Sequence, residues 1–274
     1  NGEYSAMANN NDSFVKTVGV ALAVCLVASV IVSFAAVQLK PLQQVNKLLD
    51  KQSNILAVAG IDLTGKSGSE ISDLFASKIE TRIVDIATGE FTDAVDAATY
   101  DQRKAAKDPA QNVVLNGSED LAKIKSRAKY ASTYIVKAED GSVKYYILPI
   151  HGYGLWSTLY GFVAVEADAN TIYGLSFYSH AETPGLGGEV DNPKWKSQWQ
   201  GKKIQNDEGK TAIQVVKFGA FNPDAANATY TVDGLAGASL TTQGVHNLVH
   251  YWLSDAGFGS FLQQLKTQTS TQEG

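Results

Sequence analysis

The longest apolar run of the chain lies near its N-terminus. Residues 18–39 contain no charged side chain, and Lys16 and Lys40 bracket them. At about 1.5 Å rise per residue, this run forms a helix of roughly 33 Å, enough to cross a hydrocarbon core of about 30 Å. A cleaved secretory signal is the alternative, because residues 33–35 fit a small-x-small cleavage site. The run exceeds the roughly 7–15 residues of a signal core, so we predict a retained transmembrane helix.

Helical spacing continues after the apolar run. Residues 41–59 repeat apolar side chains at mostly helical intervals, and Gly60 follows as a typical stop signal. Ser67 and Glu70 fit the S-x-x-E capping box, which opens a short helix. Residues 92–112 are rich in alanine and charged residues, so we predict a helix followed by a loop there.

From Tyr130 onward, runs rich in tyrosine, valine and isoleucine alternate with turn signals. Residues 139–141 and 168–170 each separate two such runs, which indicates two β-hairpins. Hairpins followed by helices are typical of an α+β fold with a largely antiparallel sheet. The predicted strands are 82–86, 130–137, 143–150, 159–167, 171–178 and 212–218, and the later predicted helices are 191–200, 239–253 and 258–266.

Composition narrows the functional classes. The 274 residues are 44% hydrophobic and 19% charged, which excludes disordered and collagen-like chains. The net charge of −5 argues against a polyanion-binding surface, so we predict no nucleic-acid partner. The single cysteine, Cys25, lies in the apolar run and excludes an internal disulfide.

The most informative polar stretch is residues 233–242, which read DGLAGASLTT. Its small residues form an uncrowded loop that delivers the Ser239 hydroxyl to the first turn of a helix. Free backbone N–H groups and the helix dipole favour a phosphate there. Thr241 and Thr242 add two hydroxyls. An ordinary N-cap serine is the alternative, and the lysine of a P-loop is missing.

Two further glycine-rich stretches could line a ligand. Residues 182–189, ETPGLGGE, form a tight loop whose backbone can approach a planar group. Residues 151–156, HGYGLW, place glycines beside a stacking face. The alternatives are a surface loop and a packed tryptophan. His246 and His250 have the spacing of two metal ligands, but no third ligand is evident, so we predict packing rather than a metal site.

These stretches together resemble one family closely. Residues 49–61 and 195–203 add LDKQSNILAVAGI and WKSQWQGKK, and the motifs occur in one order from about Met7 onward. The chain resembles the C subunit, which binds FMN covalently, of the bacterial sodium-translocating NADH:quinone reductase. The related G subunit of the Rnf-type complex shares only the GxGLW, ETPGLG and DGxxGAS features.

The resemblance implies FMN joined through its phosphate to Ser239. Members of this family carry threonine at the position, and either hydroxyl forms the same phosphoester. Thr241 and Thr242 are fallback acceptors, and Asp233 is implied as part of the recognition motif of a flavin transferase. We expect residues 182–189, especially Thr183 and Leu186, and residues 151–156 to wall the ring. The remaining predicted flavin-site residues are Gly234, Gly237, Ala238, Leu240, Glu182, Gly185, Gly187, His151, Gly154, Leu155 and Trp156.

The resemblance also implies a place in a membrane complex. The flavin would relay single electrons from an iron centre to the flavin of the B subunit, while the complex couples NADH oxidation and quinone reduction to sodium export. The implied partners are the A, B, D, E and F subunits, and the transferase that loads FMN from FAD. The body would be periplasmic and the N-terminus cytoplasmic in the bacterial inner membrane. Lys40, Lys47 and Lys51 favour the reverse orientation, but we follow the resemblance.

The predicted organisation is therefore an α+β protein with a single N-terminal transmembrane helix and one FMN-binding domain of mainly antiparallel sheet and flanking helices. An anchored sensor domain without covalent flavin, and a purely structural subunit, are the alternatives. The predicted segments are a cytoplasmic 1–17 (1–6 preceding a natural start at Met7), the transmembrane 18–39, a linker helix and membrane-proximal part over 40–129, the FMN-binding domain 130–267 and a disordered tail 268–274.

Overall fold

The computed structural model describes residues 14–272 of the chain and the side chains of residues 14–268. The predicted start at Met7 and most of the predicted cytoplasmic segment lie outside these residues. The chain divides into two compact units between Asp50 and Lys51. The helices are α1 (Phe14–Val58), α2 (Gly68–Lys78), α3 (Gln102–Ala105), α4 (Pro193–Lys196), α5 (Ser239–Leu253) and α6 (Gly259–Gln272). The strands are β1 (Ile79–Asp85), β2 (Asn112–Val114), β3 (Ser126–Ala128), β4 (Tyr130–Lys137), β5 (Val143–Tyr153), β6 (Thr158–Glu166), β7 (Ile172–Ser179), β8 (Gln214–Val215) and β9 (Thr231–Val232).

The predicted anchor and the helix after it form one continuous element, α1. It runs for 45 residues through Pro41, which lacks a backbone N–H to donate. Its most apolar window has a mean hydropathy of 2.8 and buries none of its residues, so α1 is long and apolar enough to cross a membrane. Gly60 ends the helical stretch with φ at +76°, as predicted. In the next helix, α2, the capping box of Ser67 and Glu70 is also confirmed.

A five-stranded antiparallel sheet forms the centre of the body. Its strand order is β1-β4-β5-β6-β7, and both predicted hairpins are present in it. Successive side chains of a strand point to opposite faces, so Ile147 and Leu148 of β5 belong to two different cores. The Ile147 face packs against Ile55 and Leu56 at the end of α1. The Leu148 core includes Leu248 of α5, which places that helix against the sheet.

The prediction for residues 92–112 was wrong in its main element. Only α3 is helical there, with four residues. Asp101 caps the N-terminus of α3, whereas Asp96 and Asp108 each accept a hydrogen bond from the backbone N–H two residues onward. Short acidic side chains compete in this way for the amides that a helix needs. The segment therefore forms a series of turns.

Other boundaries also differ from the sequence-based prediction. The predicted strand 212–218 shrinks to β8, which pairs in parallel with β9, a strand that the pattern missed. The last helix, α6, extends to Gln272, so the tail predicted to be disordered is helical up to that residue. The pairing of β1 with β4 crosses the predicted boundary between 129 and 130, so the two predicted segments share one sheet.

Candidate functional site

The first turn of α5 presents an exposed hydroxyl and open backbone donors. The helix begins at Ser239, as predicted, and Ala238 at the N-cap position provides no side-chain hydrogen bond. Ser239 is exposed, and its hydroxyl has no hydrogen-bond partner among the described residues. The first N–H groups of a helix have no partner inside it, so this turn attracts an anion. Gly237 enters the turn with φ at +68°, a conformation that favours glycine.

The two threonines after Ser239 are not available in the same way. Thr241 is 1% exposed and Thr242 is 4% exposed. The Thr241 hydroxyl donates to Glu182 Oε2 at 2.7 Å, and Thr242 Oγ1 accepts from the Leu235 N–H at 3.0 Å. Of the three neighbouring hydroxyls, only that of Ser239 therefore lies open at the surface.

The loop before α5 is fixed by its own hydrogen bonds. The Asp233 carboxylate accepts the Gly219 N–H, with its two oxygens at 2.9 and 3.1 Å, and the Asp233 carbonyl accepts from Trp195 Nε1 at 3.0 Å. A Cβ on Gly234 would lie 2.5 Å from the Val216 carbonyl oxygen, so only glycine fits there. Asp233 therefore joins the loop before α5 to the residue 219 loop and to α4, a role that the motif did not reveal.

Glu182 connects the three glycine-rich stretches of the sequence. Its carboxylate accepts the N–H groups of Leu155, Trp156 and Ser157 at 3.0–3.2 Å, as well as the Thr241 hydroxyl. Burial alone raises the pKa of Glu182, but the hydrogen bonds from Thr241 and from these amides outweigh it and hold the pKa below its ordinary value. The carboxylate is therefore ionised at neutral pH.

Glycines in these stretches make room for this carboxylate. A Cβ on Gly154 would lie 2.7 Å from Glu182 Oε1, and one on Gly187 would lie 2.9 Å from Oε2. Gly244 of α5 lets the helix touch the same loop, because its Cβ would lie 2.8 Å from the Gly154 Cα atom. The sequence suggested that the glycines of residues 182–189 bring the backbone close to a planar ligand. In the structure, Gly187 serves internal packing, whereas Gly185 faces open space with φ at +76°.

Exposed apolar side chains lie on the loops that meet at Glu182 and in the first turn of α5. Trp156 and Leu240 are 66% and 64% exposed, and Leu186 and Leu155 are also open to solvent. Leu186 reaches the Ser239 loop, since a Cβ on Gly237 would lie 3.1 Å from its Cδ2 atom. An exposed hydroxyl, open N–H donors and adjacent apolar side chains match the phosphate and the planar ring of a flavin mononucleotide. The donor set therefore fits the group that the sequence predicted.

Thr183 and Ser157 stabilise the loops of this site through hydrogen bonds. Thr183 is exposed, and its carbonyl accepts the N–H groups of Leu186 and Gly188, which closes the 182–189 loop. Ser157 was missed by the sequence analysis, because no motif marks it beyond its place after Trp156. Its hydroxyl lies 3.3 Å from Glu182 Oε1 and accepts the Ala181 N–H at 2.7 Å.

His151 lies in different surroundings from the rest of the predicted site. Its ring stacks on Tyr160, with centroids 5.4 Å apart, and lies 5.0 Å from the ring of Trp252. The indole N–H of Trp252 donates to the His151 carbonyl at 2.6 Å. The contacts described for residues 14–268 do not join this ring to Glu182 or Ser239. Its role as a wall of the flavin site remains a prediction.

The environment of His151 predicts a loss of stability in acid. Burial, together with the positive charge of Arg103, lowers the pKa of His151 to about 4. The unfolded chain gains a proton below pH about 6.5 and the folded chain does not, so the free energy of unfolding falls between pH about 6.5 and 4. Because the ring keeps some solvent contact, we expect a loss of about 2 kcal/mol, below the full value of the shift.

Urea unfolding of the full chain in detergent at pH 7 and pH 4.5 measures this loss. His151→Phe keeps an aromatic ring on Tyr160 but cannot titrate, so its stability should fall less over the same interval. An equal fall in both proteins would show that His151 does not cause the acid sensitivity.

His246 and His250 pack against each other on α5. His246 Nδ1 accepts the Val215 N–H at 3.1 Å, and the His246 and His250 rings lie 5.9 Å apart. Burial lowers the pKa of both groups, so they are neutral at pH 7. Among the residues that the structure describes, no group of three His, Cys, Asp or Glu side chains could hold a metal ion.

Comparison with known families identifies the class of this domain. A model described as an FMN-binding domain matches residues 154–254, which contain Glu182 and Ser239 and begin at Gly154. The fold and the cluster of loops around Ser239 thus define an FMN-binding domain.

Relatives of the whole chain identify the family. The C subunit of the Na(+)-translocating NADH-quinone reductase of Pseudomonas aeruginosa is 53% identical over 257 residues, covering 94% of this chain and 98% of the relative. The same subunit of Vibrio vulnificus is 52% identical over 257 residues, which cover 94% of this chain and 97% of that relative. NqrC of Shewanella oneidensis, solved by crystallography, matches with a TM-score of 0.72 and 35% identity, covering 82% of this chain and 99% of that one. The chain belongs to the family of the C subunit of the Na(+)-translocating NADH-quinone reductase.

Proposed function

We propose that Ser239 carries FMN through a phosphoester bond, and that this group makes the chain an electron carrier. As a member of the C-subunit family with an FMN-binding domain, the chain is an FMN-carrying electron-transfer subunit of a multi-subunit oxidoreductase. The observation that supports Ser239 most strongly is its exposure, since Thr241 and Thr242 are buried and already hydrogen-bonded.

Each part of the site has a separate task in this proposal. The first-turn N–H groups of α5 would hold the phosphate, and Leu186 and Trp156 would contact the ring, with Leu155 and Leu240 beside them. When bound, FMN supplies the one-electron chemistry, while the protein binds and orients it. A covalent link keeps the group at this surface whatever the concentration of free FMN.

The attachment step balances with FAD as the donor. The Ser239 oxygen attacks the FMN phosphorus of FAD, the bond to AMP breaks, AMP leaves, and the serine proton is released. We assign this step to a flavin transferase, since the carboxylates of Asp233 and Glu182 are already engaged as hydrogen-bond acceptors within the chain. Asp233 accepts from Gly219, and Glu182 accepts from the residue 155–157 amides and from Thr241. Asp233 shapes the loop that the transferase reads.

The proposed membrane arrangement is supported by α1 and by the family. The chain is a single-pass membrane protein and a subunit of a larger complex. The finer proposal places the N-terminus in the cytoplasm and the FMN domain in the periplasm of the inner membrane. The iron centre would deliver electrons to this subunit, and the B subunit would accept them, with the A, D, E and F subunits completing the sodium-exporting complex.

Production of the full chain with and without an active flavin transferase tests the function. With the transferase, we expect a fluorescent band on a denaturing gel and a mass increase of one FMN minus one water. Without it, the band and the mass increase should be absent. A second substrate of the transferase in the same cells verifies that the enzyme is active. An unmodified mass under those conditions would support a reversible ligand-binding domain and contradict the proposal.

A further inference from the structure

A buried anion without a cationic partner lies beneath the proposed flavin site. Glu182 is 4% exposed, and among the described residues it is the one acidic or basic residue that is buried. No lysine or arginine of the described body forms an ion pair with it. Amide and hydroxyl donors compensate its charge, since Leu155, Trp156, Ser157 and Thr241 all donate to it.

These donors come from two of the elements that form the site. The residue 154–157 loop carries Trp156, which we place against the ring, and Thr241 lies in the same helical turn as Ser239. The hydroxyl of Ser239 faces solvent, whereas that of Thr241 points inward to Glu182 Oε2 at 2.7 Å. Glu182 thus fixes the position of the loop relative to the attachment point.

We propose that Glu182 is a positioning residue that orders the 154–157 loop against the first turn of α5 before FMN is attached, and that its negative charge opposes reduction of the attached FMN. The second part rests on the proposed function. The first part does not, because the hydrogen bonds exist within the protein itself. A nearby negative charge disfavours the addition of an electron, so it shifts the midpoint potential to more negative values.

Charge and structure can be separated by four substitutions. Glu182→Gln removes the charge but keeps the size of the side chain. Glu189→Gln is the matched control, because it removes the same charge from the same loop, where Glu189 contacts Asn192 instead of the 154–157 loop. Thr241→Val removes one donor without changing the charge, and Thr241→Ser restores the hydroxyl.

The positioning role is tested in flavin-free protein. In the full-length Ser239→Ala chain in detergent, we measure hydrogen exchange of the peptide that contains residues 154–157. Glu182→Gln should speed this exchange by roughly tenfold or more, because a hydrogen bond to a charged acceptor is about twice as strong as one to a neutral acceptor. Thr241→Val should give a smaller increase and Thr241→Ser almost none. Unchanged exchange in Glu182→Gln would overturn the positioning role.

The electrostatic role is tested in loaded protein with Ser239 intact. A redox titration of the covalent flavin should give a more positive midpoint potential for Glu182→Gln than for the Glu189→Gln control. Equal potentials in the two variants would overturn this part. If the parent chain carries no flavin on Ser239, the proposed function fails, while the exchange experiment still decides the positioning role. If Glu182→Gln does not fold, the paired Thr241 variants decide the positioning role by the same exchange measurement. The electrostatic part is then tested with Glu182→Met, which also removes the charge and should give a more positive midpoint potential than the Glu189→Gln control; an equal potential would overturn this part.

Discussion

Replacement of Ser239 by alanine is expected to abolish covalent flavin completely. The variant lacks the single surface hydroxyl of the three in residues 239–242, and Thr241 and Thr242 cannot replace it because both are buried. Alanine is well tolerated in the first turn of a helix, and the Ser239 hydroxyl makes no hydrogen bond with the described residues, so the fold should be preserved. In-gel fluorescence after production with the transferase measures the loss.

The matched control for this variant is Ser239→Thr. It keeps a hydroxyl at the same position, and we expect it to be loaded. Thermal unfolding of both variants without flavin should match the parent chain, which separates a chemical defect from a folding defect. Covalent flavin in Ser239→Ala at the level of the parent chain would exclude Ser239 as the acceptor.

Replacement of Gly244 by valine is expected to destabilise the body by about 3 kcal/mol, at the upper end of the range for overpacked cores. A Cβ at this position would lie 2.6 Å from the Tyr153 carbonyl oxygen and 2.8 Å from the Gly154 Cα atom. These are backbone atoms, so α5 and the 153–154 loop must separate to admit the side chain. Urea unfolding of the full chain in detergent, followed by tryptophan fluorescence, measures the effect.

Gly244→Val should also reduce flavin loading, because separating α5 from the loop that carries Trp156 moves Ser239 relative to that loop. Gly117→Val is the control, since a Cβ at Gly117 meets no atom within 4 Å. We expect that variant to keep both its stability and its loading. A Gly244→Val protein as stable as the Gly117→Val protein would show that the helix and the loop are not in close contact.

Local patterns predicted much of the framework. The helix from Ser239 to Leu253 was predicted with both ends correct, because a glycine-rich loop precedes it and an apolar stripe runs along it. The two hairpins followed from alternating strands and short polar turns. In contrast, the helix prediction for residues 92–112 failed. The alanine content favoured a helix, but aspartates of this segment form turns with nearby backbone amides.

The internal organisation of the site was beyond a reading of the sequence. Glu182 and Thr241 are 59 positions apart, and no local pattern indicates that their side chains meet. The sequence shows the glycines of the ETPGLGGE and HGYGLW stretches. The role of each glycine depends on which atoms a Cβ at its position would meet. Gly154 and Gly187 face the Glu182 carboxylate, which only the tertiary structure reveals.

The most direct test of the central claim is tandem mass spectrometry of the peptide that spans Ser239, Thr241 and Thr242. The protein is the full chain, produced with an active transferase and digested under conditions that preserve phosphoesters. We predict that the fragment ions place the mass of one FMN minus one water on Ser239 and leave both threonines unmodified. A peptide with a bare Ser239, or with the flavin on either threonine, would contradict the account.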